Sequence, residues 1–175
     1  MNPIELPPLH FRRANRVAAY EVASWRHGEA QRRWDLPAAA ATRLLSPEFG
    51  YVIALDPRGS VVGVACTGAD ARVKGGEYGA AAPRVLDVVA RLRPSLIGRG
   101  LGRAFLHASF AWLTAEHQPR YLRTTVAADD ARVRHVLASI GFAATWRFVG
   151  PEIGQGRIQH YIQFECPVAA VAAQR

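Results

Sequence analysis

Three glycines at alternate positions carry the clearest chemical signal in the sequence. Gly98, Gly100 and Gly102 lie between a predicted strand and a predicted helix, and a backbone without Cβ atoms lets an anion approach its N–H groups closely. The N-terminus of the helix adds roughly half a positive charge, and Arg99 and Arg103 can pair with phosphate oxygens. The segment therefore predicts a phosphate-binding turn.

Two common phosphate-binding motifs do not fit this turn. A Walker loop needs Lys followed by Ser or Thr, and neither follows Gly102. A Rossmann turn needs a third glycine where Arg103 stands, and an acidic residue about 20 positions later, whereas the next predicted strand ends in Val126. A glycine-rich turn with a purely structural role remains an alternative.

The elements around the turn are typical of an α+β domain. Asp129 or Asp130 caps the helix that ends at Gly141, and in the first helix Val17, Tyr20, Glu21 and Trp25 are spaced for one face. Most connections predict antiparallel pairing, but the helical connection from residue 92 to 121 predicts a right-handed parallel crossover. Strands are predicted over 9–13, 51–55, 61–66, 84–92, 121–126, 142–149 and 158–166, and helices over about 15–26, 37–45, 100–118 and 130–140.

Composition narrows the class of protein. A chain of 175 residues with 50% apolar content and a mean hydropathy of −0.02 predicts a single domain over residues 1–166, followed by a loose tail over 167–175. Cys66 and Cys166 lie far apart without a Cys/His cluster, so we expect no metal and a reducing, cytoplasmic location. No apolar run approaches the ~20 residues of a membrane span, so no membrane partner is expected.

The formal charge of +8 is dispersed along the chain. All 22 basic residues except Lys74 are arginines, and they form no run of five or six. A basic domain attracts phosphates, a nucleotide cofactor or RNA alike. Since aromatic side chains are not interleaved with the arginines, nucleic-acid binding is the least favoured hypothesis.

The glycine turn resembles the acetyl-CoA signature of the GNAT N-acetyltransferases. In that family a strand ends Val-x-Pro, and Gln/Arg-x-x-Gly-x-Gly/Ala then opens a long helix. Here 92–94 read Leu-Arg-Pro and 97–102 read Ile-Gly-Arg-Gly-Leu-Gly, so Ile97 departs from the pattern. A second signature, Asn-x-Arg/Ala-Ala followed by a helix and Gly-Phe, resembles 130–133 with Gly141 and Phe142. The resemblance covers about residues 9–165.

The resemblance implies a fold, a cofactor and an activity. The fold would be a central, mostly antiparallel sheet of about six to seven strands with a parallel splayed pair, flanked by about four helices. Acetyl-CoA would lie between the strands that end at Leu92 and Val126, and an acetyl group would pass to a primary amine of a small molecule or peptide. The residues implied in cofactor binding are Leu92, Arg93, Pro94, Ile97, Gly98, Arg99, Gly100, Leu101, Gly102, Arg103, Asp130 and Leu137.

Catalytic residues are less well marked. The tyrosine that protonates the CoA sulfur in the family falls at Leu137, which cannot donate a proton. Asp87, on the strand five residues before Leu92, is the candidate base, with a capping or loop-pinning role as the alternative. Trp25, His27 and Trp34 are candidates for the acceptor pocket; core packing is the alternative for the tryptophans, and a surface role for the histidine.

Three functions from different classes remain open. The first is the acetyl-CoA-dependent N-acetyltransferase, as a possible homodimer. The second is a CoA-binding module with degenerate catalysis that serves as a sensor or partner protein, because Leu137, Asp130 and Arg91 depart from expectation. The third is nucleic-acid binding. For the first, the positive charge predicts acceptors that carry a carboxylate over polyamines.

Overall fold

The computed structural model describes residues 5–28, 35–37, 39–78, 84–151 and 157–172. The strands in these ranges are β1 (His10–Arg12), β2 (Val52–Leu55), β3 (Val61–Thr67), β4 (Val85–Leu92), β5 (Tyr121–Ala127), β6 (Ala143–Pro151) and β7 (Ile158–Pro167). The α-helices are α1 (Arg16–Ala23), α2 (Ala40–Leu45), α3 (Gly102–His117), α4 (Ala131–Ser139) and α5 (Val168–Ala172). None of the described helices is long and apolar enough to cross a membrane.

All seven of these strands form one sheet in the order β1-β2-β3-β4-β5-β7-β6. Neighbouring strands pair antiparallel except β4 and β5, which run parallel and are joined by α3. The parallel ladder has three residue pairs, of which Asp87 with Arg123 is the last. Beyond that pair the two strands separate. The predicted mostly antiparallel sheet with a parallel splayed pair is therefore confirmed.

The helices divide between the two faces of the sheet. Residues of α3, α4 and α5 pack with alternate residues of the strands into the larger core, which includes Phe110, Leu137 and Val171. Helices α1 and α2 cover the opposite face over β2 and β3. Along β4, Val88 faces α3, and Arg91 pairs with Val64 on the α1 face. The splayed strands therefore open a gap that connects both faces.

Helix α1 buries a different face from the one that its large side chains predict. Val17 and Tyr20, which the sequence places on one face with Glu21 and Trp25, are 76% and 60% exposed, so this face of α1 does not form the core. The buried face carries Ala18, Ala19 and Val22. Small side chains let a helix backbone approach its neighbours closely, and this face packs against α2 and β3.

The C-terminal segment also differs from expectation. The sequence predicts a loose tail from residue 167, but the structure has α5 there, packed against α3. Val171 is buried in the main core, and the carbonyl of Val171 lies 3.2 Å from Nε2 of His107 on α3. Burial of apolar side chains and this contact therefore hold the segment against α3, because removing the surface of alanine and valine side chains from water is favourable.

One glycine sets the distance between α3 and the sheet. A Cβ at Gly63 on β3 would lie 2.2 Å from the ring of Phe105, which is buried in the first turns of α3, and 2.8 Å from the carbonyl oxygen of Arg91. No real Cβ tolerates such contacts. Glycine at this position therefore lets the beginning of α3 sit directly on the sheet, beside the separating strands.

Candidate active site

The separation of β4 and β5 creates a cleft of about 510 Å³. Its walls come from four places in the fold: the ends of the two splayed strands, the turn before α3 with the first turns of that helix, the beginning of α4, and the segment after α1. The lining residues are mostly apolar, and charged side chains lie at the N-terminal ends of α3 and α4. They include Val89, Ala90, Leu92, Phe105, Leu106, Thr124, Thr125, Val126, Val133 and Val136, together with the charged side chains described below.

The glycine turn leaves open space where side chains would stand. Gly98 and Gly100 have φ angles of +81° and +80°, a conformation that L side chains rarely adopt. Apart from the adjoining backbone and chain neighbours, no atom of the described residues lies within 4 Å of an ideal Cβ at Gly98, Gly100 or Gly102. All three glycines line the cleft. The turn therefore presents bare backbone to the space where a ligand can enter.

The N-terminus of α3 points unpaired N–H groups at the same place. In the described part of the chain no side chain caps the helix at Leu101, and the first intrahelical bond runs from the N–H of Phe105 to the carbonyl of Leu101 at 2.9 Å. The N–H groups of residues 102–104 therefore lack intrahelical acceptors. With the dipole of a 16-residue helix behind them, they form a site that favours an anion.

Two arginines reinforce this anion site, and a third does not. Arg103 and Arg132, on the first turns of α3 and α4, both line the cleft. Arg99 is exposed and is not among the described residues that line it. Asp130 lines the cleft but has a clear structural role, because its Oδ1 accepts a 3.1 Å hydrogen bond from the N–H of Val133 and so caps α4. The balance of fixed charge beside the turn is positive.

The remaining residues that the resemblance implies in cofactor binding fall into two groups. Leu92, Ile97 and Leu137 line the cleft, and Leu137 is fully buried in its apolar wall. Arg93, Pro94 and Leu101 are not among the described lining residues. The Arg93 guanidinium instead bonds Glu21 on α1 at 3.0 Å, Pro94 opens a 3-10 turn, and Leu101 is buried.

Asp87 is held in an ion pair at the base of the cleft, outside its lining. Its carboxylate accepts two hydrogen bonds from Arg123, at 2.6 and 3.0 Å, and one from Arg72 at 2.6 Å. Both Asp87 and Arg123 are 4% exposed, and the bonds to Asp87 raise the pKa of Arg123. Because the two residues form the last rung of the parallel ladder, this pair pins β4 to β5 where the cleft begins. The arrangement gives Asp87 a structural role.

His27 is bonded to a carboxylate in the wall of the cleft. Its Nδ1 lies 2.8 Å from Oδ1 of Asp35, and its main-chain N–H donates to the same oxygen at 2.7 Å. The His27 side chain is 4% exposed. Burial alone would raise the pKa of Asp35, but the hydrogen bonds from His27 outweigh it and hold that pKa below its ordinary value. The carboxylate therefore stays ionised at neutral pH.

The two tryptophans predicted for the acceptor pocket are placed differently. Trp25 is 8% exposed and packs in the core beneath α1 and α2, and it is not among the described residues that line the cleft. Trp34 lies outside the described residues.

Several site residues carry no clear signal in the sequence. Asp35 is separated from His27 by eight positions without a motif. Thr125 lines the cleft, and its Oγ1 accepts a hydrogen bond from the Tyr78 hydroxyl at 3.0 Å, a contact across 47 residues. Arg132 stands inside the second motif, and its place in the first turn of a helix capped by Asp130 is the signal that could have identified it. No group of three metal-ligating side chains occurs within the described ranges.

Comparison with solved structures identifies the architecture. A chimera of the spermidine N-acetyltransferase SpeG from Vibrio cholerae and hSSAT superposes with a TM-score of 0.71 and 13% identity, over 95% of this chain and 99% of that one. The chain has the GNAT fold. A candidate phosphinothricin N-acetyltransferase matches with a TM-score of 0.68 and 15% identity over 91% and 98% of the two chains. The GNAT fold predicted from the two motifs is thus confirmed.

A third GNAT structure was solved with its cofactor. This is yncA from Salmonella typhimurium with acetyl-CoA, which superposes with a TM-score of 0.62 and 16% identity over 91% of this chain and 94% of that chain. No protein-family model and no curated protein matches the sequence. The similarity to the GNAT fold is therefore one of structure, at low sequence identity.

Proposed function

We propose that the protein is an acetyl-CoA-dependent N-acetyltransferase that moves the acetyl group to a primary amine of a small molecule or peptide by direct attack. One observation carries the proposal: an open glycine turn at an uncapped helix N-terminus leads into a cleft between separated parallel strands. Solved proteins of the same fold are named as spermidine N-acetyltransferases, and one holds acetyl-CoA.

The residues present fit acetyl-CoA. The N–H groups of 102–104, with Arg103 and Arg132, suit its pyrophosphate. Past the last ladder pair, the side of β4 that faces β5 no longer takes part in the parallel ladder, so its main chain can bond an extended pantetheine arm as a strand would. The apolar wall with Leu137 suits the rest of that arm. When bound, the thioester supplies an activated acyl group.

The cofactor site can be tested at Gly100. Glutamate there adds a Cβ and a negative charge where phosphate should approach, so we expect Gly100→Glu to raise the Kd for CoA at least about 10-fold, or about 1.4 kcal/mol. The measurement is isothermal titration calorimetry on the folded variant. Gly59→Glu is a matched control, because Gly59 in the turn after β2 also has a φ of +80° with nothing within 4 Å of its Cβ position.

The control separates backbone strain and net charge from the site itself. Both substitutions place glutamate at a left-handed position and change the charge equally, so only proximity to the cleft differs. We expect Gly59→Glu to bind CoA like the wild type. If Gly100→Glu binds CoA with unchanged affinity, or if both variants weaken it equally, the proposed cofactor site is wrong.

A second candidate function is a CoA-binding module without catalysis. Leu137, buried in the wall where the family places its proton donor, favours this alternative. The two functions differ in one measurement: release of free CoA thiol from acetyl-CoA in the presence of a panel of amines. Turnover above the rate with acetyl-CoA alone supports the transferase, and tight CoA binding without turnover supports the module.

Location and assembly belong to the same proposal. Cys66 and Cys166 are free and buried, which suits a reducing cytoplasm. A homodimer stays a prediction, and light scattering coupled to gel filtration measures it directly.

A further inference from the structure

We infer that His27 is the general base that takes the proton from the attacking amine, and that Asp35 positions its ring. The inference rests on the proposed function and assigns a role within the same cleft. It comes from two observations: His27 is a lining residue of the cleft with its side chain 4% exposed, and its Nδ1 lies 2.8 Å from an ionised carboxylate.

The hydrogen bonds decide which nitrogen is available. An ionised carboxylate only accepts hydrogen bonds, so in the neutral ring Nδ1 must carry the proton that Asp35 receives. The lone pair is then on Nε2, the nitrogen not engaged by Asp35. The second bond, from the main-chain N–H of His27 to the same oxygen, fixes the carboxylate relative to the backbone and so fixes the ring. This is the base-and-orienter pairing that general-base catalysis requires.

The other charged groups of the cleft cannot take this role. Arg91, Arg103 and Arg132 line it, but guanidinium groups stay protonated. The Asp130 carboxylate caps α4, beside the anion site rather than the acceptor. Arg26, next to His27, bonds the carbonyls of Ala23 and Trp25. Among the described residues that line the cleft, His27 is thus the one side chain whose neutral form carries a nitrogen lone pair that can accept a proton.

The position of His27 in the fold matches an acceptor-side base. Helix α1 packs on the face of the sheet opposite α3, and His27 follows α1 directly. The glycine turn enters the cleft at the beginning of α3. The phosphate-binding groups and the imidazole therefore approach the gap between β4 and β5 from different sides, as an attacking amine and its acyl donor must.

The step balances with these groups. An ammonium acceptor first loses one proton to water. The neutral amine nitrogen then bonds the acetyl carbonyl carbon, the carbon–sulfur bond breaks, and its electron pair leaves on sulfur. The second proton of the nitrogen passes to Nε2 of His27. The thiolate takes a proton from water, since Leu137 has none to give, and the imidazolium returns its proton to water.

Three variants test this role. His27→Asn keeps an amide donor near the position of Nδ1 for Asp35 but removes the base, so we expect kcat to fall about 10²–10⁴-fold while the Kd for CoA stays unchanged. Asp35→Asn should lower kcat less, because the base remains but loses its orientation. His135→Gln, at an exposed position on α4, is the control and should keep wild-type kcat.

Two further readouts separate catalysis from structure. The wild-type kcat should fall as the pH is lowered, because a base must be unprotonated to take a proton, and His27→Asn should lack that fall. Added imidazole should restore part of the rate of His27→Ala. Independently of activity, nitrogen-15 NMR of the free protein should show His27 as the tautomer protonated on Nδ1.

The outcomes distinguish the inference from the proposed function. If His27→Asn keeps wild-type kcat and pH dependence, or if His27 is protonated on Nε2 in the neutral ring, the inference is overturned while the transferase stands. If the wild type binds CoA but acetylates no amine, the proposed function fails, and the catalytic role of His27 fails with it.

Discussion

At the level of single residues, Leu137 bears on the proposed reaction, because the departing sulfur would find no proton donor at this position of α4. An ordinary thiol has a pKa near 8.5, so releasing it as thiolate at pH 7 costs only about 2 kcal/mol. That cost slows transfer but does not prevent it. A leucine here is compatible with a working transferase in which water protonates the sulfur.

Placing a hydroxyl at position 137 tests directly whether protonation of the sulfur limits the rate. Leu137→Tyr should raise kcat, by at most about 30-fold from the thiol pKa, and leave KM for acetyl-CoA nearly unchanged. Leu137→Phe is the matched control, because it adds the ring and not the hydroxyl beside the same cleft. Equal kcat values for the two variants would show that protonation of sulfur does not limit the rate.

Single residues of the site differ in how well the sequence predicts them. The open glycine turn could be predicted because its signal is local: three glycines at alternate positions at a strand-to-helix junction. The ion pair of Asp87 could not, because it depends on a partner far along the chain. Asp87 is hydrogen-bonded to Arg123, which lies 36 residues later in the chain. The sequence around Asp87 gives no sign that its carboxylate forms an ion pair.

Among the elements, the packing of α3 on the sheet depends on the close contact between Gly63 and Phe105. We expect Gly63→Ala to lower the free energy of unfolding by about 1–3 kcal/mol, because its Cβ would overlap the buried ring of Phe105 and the Arg91 carbonyl. Thermal denaturation measures this loss, because Tm falls by about 2–4 °C for each kcal/mol in a chain of this size. Gly28→Ala, with nothing within 4 Å of the added Cβ, is the control.

A second substitution shows whether the contact is the cause. Phe105→Leu shortens the facing side chain, so the double variant should lose less stability than the sum of the two single changes. Strict additivity, or a Gly63→Ala variant as stable as the wild type, would contradict the packing argument. Because α3 carries the anion site, CoA affinity should fall together with stability.

The elements also show which sequence patterns predict packing. Local chemistry predicts the termini well: Asp130 caps α4 through its own hydrogen bond, and Gly141 after that helix has a φ of +90°. The buried face of α1 follows another rule. Its large residues Val17 and Tyr20 point outward because alanine, not bulk, fits the narrow space against α2 and the sheet, and this space is set by residues distant in sequence.

For the whole molecule, the distribution of charge predicts the acceptor. Arg91 lines the cleft on the face of the sheet opposite α3, and it is one of the 22 basic residues of a chain with a formal charge of +8. We therefore expect amino acids or peptides with a free carboxylate to be acetylated with a higher kcat/KM than polyamines, by at least about 10-fold at low salt. The preference should decrease as salt screens the charges.

A matched pair of acceptors isolates the charge. An amino acid and its carboxamide present the same amine with and without the carboxylate, so the ratio of their kcat/KM values reports the electrostatic contribution alone. A preference for polyamines, or equal rates for the matched pair, would contradict the prediction. Tight tRNA binding with a steep dependence on salt would favour the nucleic-acid hypothesis instead.

The fold as a whole could be predicted further than the site. Strand and helix alternation, the turns and the length of the 92–121 connection predict the sheet and its parallel crossover, because chain connectivity allows few arrangements of these elements. The end of the chain could not be predicted in the same way. A run of alanine and valine after Pro167 gives no periodic signal, whereas in the structure Val171 of α5 is buried in the core against α3.

The short parallel ladder has a consequence for the folding of the molecule. β3 and β4 share five residue pairs and β5 and β7 share seven, whereas β4 and β5 share three and one buried ion pair. The parallel ladder is thus shorter than the ladders on either side of it, although the larger core spans it with Val88 and Leu122. A molecule that hydrogen-bonds to the free edge of β4 in the cleft takes the place of a paired strand there. At a concentration of 100 times its Kd, such a ligand raises the free energy of unfolding by about 2.7 kcal/mol. In the proposed function that molecule is the acyl donor, which would add main-chain hydrogen bonds to β4 as well as supply the acyl group.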